Sequence, residues 1–299
     1  MSRRRFSKRL RNFAIYYLTR TVLAILGTTP HSLSRVTARW IGAFAFGVAR
    51  RERAIAVAQL CGRTAIGARP QRARKLVRGV FNHLALSIVE LSRLMRNPNN
   101  RPDICIPEQS RKALDTALQG QRGVIFVTGH IGNWELMAIA LAEAGYPIHT
   151  VAKKSYDHRF SNLLSQQRAR FGVQAIYRES TGSTTKLLRV LKKGGILGML
   201  IDQDTRVKSV FVPFFGADAH TPSGAAAFAI RTGTPVVVGT MKRTSGGGHR
   251  LDIASISLPT NVTAATAVLT RALEERIRQQ MSQWVWFHQR WKTERPVSG

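Results

Sequence analysis

The chain is short of acids. Among 299 residues there are 16 Asp and Glu against 46 Lys and Arg, a formal net charge of +30. A surplus of that size calls for an anionic partner: nucleic acid, an acidic membrane or an acidic protein. Cysteine is scarcer still. Cys61 and Cys105 cannot form a disulfide framework and show no metal-ligand spacing, which fits a reducing compartment. Zinc spacing, an RNP-like motif and regular basic–aromatic interleaving are all missing, so a nucleic-acid-binding protein is the weaker explanation of the charge. The chain has no internal repeat and no low-complexity linker. No Ser or Cys nucleophile motif stands beside a histidine, which disfavours a covalent enzyme intermediate. With 44% hydrophobic residues the chain can nonetheless bury a substantial core, and a disordered protein is excluded.

The cations are unevenly placed. Residues 1–78 carry 18 Lys or Arg and a single acid, Glu52, and six of those bases fall in Met1–Arg11. The apolar run Phe13–Gly27 follows, interrupted by Arg20 and with no clear small-residue cleavage site after it. A spanning helix needs ~20 mostly apolar residues, and an Arg at mid-membrane costs roughly 2.5–3.5 kcal/mol. The expectation is therefore a helix lying in the membrane interface, with Arg20 reaching the headgroups. Trp40–Ala49 is too short to span.

Residues 8–95 read as helical, broken at Pro30, Gly62 and Pro70, until Asn97-Pro98-Asn99-Asn100 ends the pattern. Beyond it, strands alternate with helices. Strands are expected at 124–127, 147–152, 173–177, 196–201, 235–241 and 251–256, and helices at 111–118, 136–144, 160–171, 183–193, 222–232 and 262–283. In the helix at 222–232, Thr221 is the expected N-cap and Pro222 the first residue. The continuous apolar run Val124–Val127 suits a strand buried on both faces. The fold class is α/β: a mixed, largely parallel central sheet flanked by helices, preceded by a helical, membrane-associating N-terminal region. Residues 1–30 form the basic segment and residues 31–299 one domain.

Chemistry concentrates in Thr128-Gly129-His130-Ile131-Gly132-Asn133-Trp134-Glu135-Leu136, between a buried strand and a helix, where α/β enzymes place reactive groups. On one regular helix His130 and Glu135 would diverge by about 140°. They can meet if His130 sits in the loop and Glu135 in the first helical turn, with Gly129 and Gly132 allowing the bend. A carboxylate on one imidazole nitrogen fixes the tautomer and leaves the other nitrogen as a base. Backbone N–H groups near Ile131–Asn133, or a nearby cation, are candidates to hold an oxyanion, and Asn133 is a candidate substrate contact. Asp202 follows the strand at 196–201, so it is placed at a strand's carboxyl end near the same site.

Four blocks occur in order: GHIGNWE around His130, then Asp202-Gln203-Asp204, Val212-Pro213-Phe214-Phe215-Gly216, and Trp284–Lys292. Together they resemble the lysophospholipid acyltransferase superfamily. Within it they resemble the late acyltransferases of lipid A biosynthesis, the lauroyl and myristoyl transferase group, from about residue 10 to 292. The resemblance implies an O-acyltransferase moving a fatty acyl group from acyl carrier protein to a hydroxyl of a lipid A precursor or related glycolipid. It implies work at the cytoplasmic face of a bacterial inner membrane, on an anionic surface, with no metal or organic cofactor. His130 would be the base and Glu135 its orienting carboxylate. Because the wider superfamily holds an acceptor phosphate with an arginine, the resemblance nominates Arg168 and Arg178. Relatives on this fold also acylate phosphoinositide mannosides, ornithine lipids or lysophospholipids, so the acceptor stays open.

Overall fold

A computed structural model describes residues 3–295 apart from residues 65, 156 and 181, and only the backbone of residues 3–10. Of the bases expected in Met1–Arg11, all side chains except that of Arg11 lie outside the described residues.

Four helices lead the chain: α1 (Arg3–Gly27), α2 (His31–Val48), α3 (Arg50–Ala58) and α4 (Pro70–Arg96). Pro70 stands at the start of α4, where a missing N–H costs nothing, and Arg93 and Arg96 lie in its last turn, where cations suit the helix dipole. Then follow β1 (Ile104–Cys105), α5 (Glu108–Gln119), β2 (Val124–Thr128), α6 (Trp134–Glu143), β3 (Ile148–Ala152), α7 (His158–Arg170), β4 (Gln174–Tyr177), α8 (Ser183–Lys192) and β5 (Ile196–Leu200). The last third holds β6 (Ser209–Phe214), β7 (Ala217–Pro222), α9 (Gly224–Thr232), β8 (Val236–Arg243), β9 (His249–Ile256) and α10 (Val262–Arg278).

Seven strands make one sheet in the order β1-β9-β8-β2-β5-β3-β4, parallel throughout except between β8 and β9. The α/β class with a mostly parallel sheet is thus observed. Alternation along the strands divides the core. Val124, Phe126, Ile196 and Val237 pack on one face with α6, while Ile125, Val127, Leu197 and Val238 pack on the other with α8, α9 and α10. A third cluster joins α4 to Phe214, Phe215, Trp284, Trp286 and Trp291.

Two expectations need correction. Thr221 and Pro222 do not start a helix. They end β7, which pairs antiparallel with β6, and Ser223 precedes the helix instead. The two-residue turn of that hairpin places Phe215 (φ 51°) and Gly216 (φ 78°) in the left-handed region that tight hairpins require. Phe215 tolerates it because its ring is fully buried and its N–H donates to Glu274 Oε2 at 2.6 Å. The C-terminal helix stops at Arg278 rather than 283, followed by a single tight turn at Met281–Gln283. Gln283 is held elsewhere: its side chain pairs with the Arg243 backbone and its carbonyl accepts from the Gly132 N–H.

No described helix is long and apolar enough to cross a membrane. The α2 helix exposes Leu33, Val36, Trp40, Phe44 and Val48 at helical spacing, and α1 exposes Phe13, Leu18 and Ile25. Trp40 is 75% exposed.

Candidate active site

Strands β2 and β5 are neighbours with Thr128 opposite Leu200, so residues two beyond each strand end arrive side by side. Those residues are His130 and Asp202. They sit at the carboxyl ends of parallel strands, between chain excursions to either side of β2, which is where open α/β sheets place their ligands.

The carboxylate of Asp202 receives three hydrogen bonds. The His130 backbone N–H donates to Oδ2 at 2.6 Å, His130 Nδ1 meets Oδ1 at 2.9 Å, and the Trp284 indole N–H donates to Oδ2 at 2.8 Å. Burial by itself would push the Asp202 carboxyl up. The imidazole and the indole outweigh it and hold the carboxyl at about 2, so Asp202 is an anion. An anion accepts only, which puts the Nδ1 proton of a neutral imidazole toward Asp202 and leaves Nε2 as the basic atom. Nε2 has no hydrogen-bond partner among the described residues, and the His130 side chain is 24% exposed. Trp134 stands edge-on to the imidazole with ring centroids 5.0 Å apart.

The loop around His130 explains its glycines. A Cβ on Gly129 would lie 2.9 Å from the Asp202 carboxyl carbon. At Gly132 (φ 62°) a Cβ would come within 1.5 Å of the Met241 carbonyl oxygen. Residues 130–132 also pair like a strand with the C-terminal segment: Gly132 N–H donates to Gln283 O at 2.8 Å, and Val285 N–H to His130 O at 3.2 Å.

No hydrogen bond among the described residues links Glu135 to His130. From the first turn of α6 Glu135 turns to α7, where Arg168 donates to it twice, Nε at 2.9 Å and Nη2 at 2.5 Å. The bidentate fork matches the carboxylate and needs both partners in one plane. The spacing argument put Glu135 within reach of His130; the register of β2 with β5 put Asp202 there first. Asn133 is 2% exposed, caps α6 through Oδ1 at 3.2 Å from the Leu136 N–H, and donates from Nδ2 to Glu90 at 3.3 Å. It is a buried loop anchor and not an open substrate contact. The Gly132 N–H, held by Gln283, is likewise not free for an oxyanion. Arg178, beyond the end of β4, is bound to its neighbour Glu179 at 3.1 Å, and no hydrogen bond among the described residues links it to His130, Asp202 or Glu135.

Two further groups escaped the sequence reading. Trp284 was visible as part of an aromatic block, but its hydrogen bond to Asp202 spans 82 residues. His288 lies in the same block without being singled out by it; its Nε2 is buried without a partner among the described residues, and burial is the main influence lowering the basicity of its imidazole. Asp204, the next acid after Asp202, turns away to His220 Nδ1 at 3.0 Å and the Thr293 N–H at 3.0 Å. No cluster of three or more metal-ligating side chains occurs among the described residues.

The chain is 26% identical over 228 residues to the lipid A biosynthesis palmitoleoyltransferase of Escherichia coli (strain K12), covering 75% of this chain and 73% of that one. The lipid A biosynthesis acyltransferase of Shigella flexneri matches with the same identity and coverage. A phosphatidylinositol mannoside acyltransferase of Mycolicibacterium smegmatis is 24% identical over 181 residues, 59% of each chain. The family described as bacterial lipid A biosynthesis acyltransferase matches residues 3–293, nearly the whole of the chain, and the protein belongs to that family.

Proposed function

We propose that the protein transfers a fatty acyl group from acyl carrier protein to a hydroxyl of a lipid A precursor or related glycolipid, with His130 as general base. Family membership supports acyl transfer to a lipid acceptor. The observation that carries the mechanism is the geometry of His130: Nδ1 fixed on the Asp202 anion and Nε2 open.

In this reading His130 Nε2 takes the proton of the acceptor hydroxyl as its oxygen attacks the thioester carbonyl. The C–O bond forms, the C–S bond breaks, and the proton passes from the imidazolium to the departing thiolate. Asp202 stabilises the imidazolium in between, which a buried, indole-bonded anion does well. Glu135 and Arg168 act as a unit. The carboxylate holds the guanidinium in the plane it would present to an acceptor phosphate, and Glu135 has no direct part in the proton transfer.

The donor and the surface follow from charge. Arg50, Arg51, Arg69, Arg72, Arg74 and Lys75 are all exposed around α3 and the start of α4. Acyl carrier proteins are acidic, and a cationic face steers an acidic partner more strongly than it steers a small thioester. The apolar residues of α1 and α2, with Arg20, Arg35 and Arg39 beside them, suit an anionic membrane surface. That surface would be the cytoplasmic face of the inner membrane.

The test uses the full chain with vesicles, one acyl length, and acyl-carrier-protein and coenzyme A thioesters as matched donors. A lipid A precursor and a phosphatidylinositol mannoside are offered separately, because one relative is named for the second. Product mass should show acylation of the lipid A precursor, with a higher kcat/KM for the carrier-protein donor at low salt and no turnover by folded His130→Ala. Wild-type turnover by His130→Ala would overturn the base. Preference for the phosphoinositide would overturn the acceptor, and equal use of both donors at every salt concentration would overturn the carrier-protein donor.

A further inference from the structure

Behind the His130 loop lies a buried polar cluster that the reaction does not touch. Glu90, from the last third of α4, accepts from Arg243 through Nη1 and Nη2, the latter at 2.8 Å, and lies 3.2 Å from His249 Nε2. Arg243 Nη2 also donates to Ser87 at 3.3 Å. The side chains of Glu90, Arg243 and His249 are 7%, 11% and 0% exposed. Burying such a pair seldom adds stability over apolar residues of the same size, because both ions lose their water. Its retention asks for another account, and the hydrogen bonds of Asn133 supply one.

The Asn133 amide has an oxygen end and a nitrogen end. The oxygen must face the N-terminus of α6, where it accepts from the Leu136 N–H, and the nitrogen then faces Glu90. Turning the amide over would set N–H against N–H and oxygen against carboxylate. An anionic Glu90 therefore permits one orientation only. Arg243 fastens the other flank, since its backbone is bracketed by the Gln283 amide at 2.8 and 3.1 Å and the Gln283 carbonyl holds Gly132. Gly132 and Asn133 are thus tied to β8 and α4, two elements that carry no part of the reaction.

We propose that Glu90, acting through Asn133 and backed by Arg243, is a positioning residue that aims the loop carrying His130, while Glu135 is held separately by Arg168. The proposal rests on the reading of His130 as the base. Misplacing a catalytic group by about 1 Å costs roughly 100-fold in rate, so the effect belongs to kcat. Substrate affinity would change little, because neither Glu90 nor Asn133 is open to a ligand.

Asn133→Asp isolates the link. Asp caps a helix as well as Asn, so α6 keeps its start, but the donor to Glu90 is replaced by a second carboxylate. The expected result is a fall in kcat of the folded enzyme of roughly 10- to 100-fold, with KM for both substrates within about twofold, beside a lowered thermal midpoint because two buried carboxylates then face each other. Combining it with Glu90→Gln restores one donor and one acceptor in reverse order, and should recover several-fold of the lost kcat. A purely structural role would lower the midpoint and the folded yield without this reciprocal rescue. Wild-type kcat in Asn133→Asp would overturn the proposal, and so would a double variant no better than the single one. If Asn133→Asp does not fold, Asn133→Ser keeps an oxygen for the cap and drops the donor. It should then show the same loss of kcat, and wild-type kcat there would also overturn the proposal. His130→Ala in the same assay separates the two ideas: activity in that variant removes the base and leaves the Asn133 comparison to stand or fall alone.

Discussion

Replacing Asp202 by Asn changes few atoms and reverses the logic of the imidazole. The carboxylate accepts from three donors, and an amide oxygen cannot serve all of them. With the amide oxygen kept on the Trp284 and His130 N–H groups, the amide nitrogen faces Nδ1 and donates to it. The imidazole proton then moves to Nε2, the atom that must be basic. Loss of the correct tautomer and of the anion beside a developing imidazolium is worth roughly 10³–10⁴ in kcat, or about 4–5.5 kcal/mol of transition-state stabilisation. Stability should change in step. The Asp202 carboxyl is held at about 2 against a usual 3.8, so its folded pKa is depressed. Its contribution, of order 2 kcal/mol, is therefore complete above the unfolded value and disappears as pH falls from about 4 toward 2. Initial rates of acyl transfer across pH, with thermal melts at pH 7 and pH 3, measure both. Asp202→Asn should lose most of its activity at every pH, and its melting deficit at pH 7 should shrink at pH 3. Glu135→Gln should instead raise KM for the acceptor while the pH profile stays in place. Asp202→Asn turning over within tenfold of wild type, with Glu135→Gln inactive, would refute this assignment and return the orienting role to Glu135.

Gly132→Ala should abolish a stable fold or lower the thermal midpoint by about 6 °C or more, because φ is positive and Met241 O occupies the Cβ position; an unchanged midpoint would mean that the loop sits differently. For the membrane surface, Trp40→Asp with Phe44→Asp should weaken binding to anionic vesicles by at least about 100-fold in sedimentation, from the loss of two large exposed apolar side chains. Undiminished binding would move the contact off α2.

Much of the fold could be read from the chain because its strands are short apolar runs separated by glycine and by amphipathic helices. Val124–Val127 and the strand before Asp202 were placed within a residue or so by that pattern alone. What local pattern does not contain is register. His130 and Asp202 are 72 residues apart; the strand-end argument places Asp202 near the site, but only the pairing of Thr128 with Leu200 aims it at His130, whereas Glu135, close in sequence, is turned toward Arg168. The β6–β7 hairpin was missed because Pro213 and three aromatic residues obscure the alternation of a strand. Glu90 was missed for a related reason. It is a single acid in a helix of 27 residues, and its burial becomes visible only when β8 brings Arg243 against it.

The pairing of β2 with β5 also bears on how such an enzyme can diversify. The chain leaves the site after α6, builds β3, α7, β4 and α8 at one side of the sheet, and returns along β5. The ladder between β2 and β5 fixes the distance from His130 to Asp202 however long that excursion is. Insertions and deletions in its loops can therefore accumulate without disturbing the reacting pair, while Arg168, carried on the excursion, moves with it. Descent with altered acceptors needs no new chemistry under this arrangement. The His130–Asp202 pair is kept whole, and the side lobe is free to be rebuilt around a different headgroup.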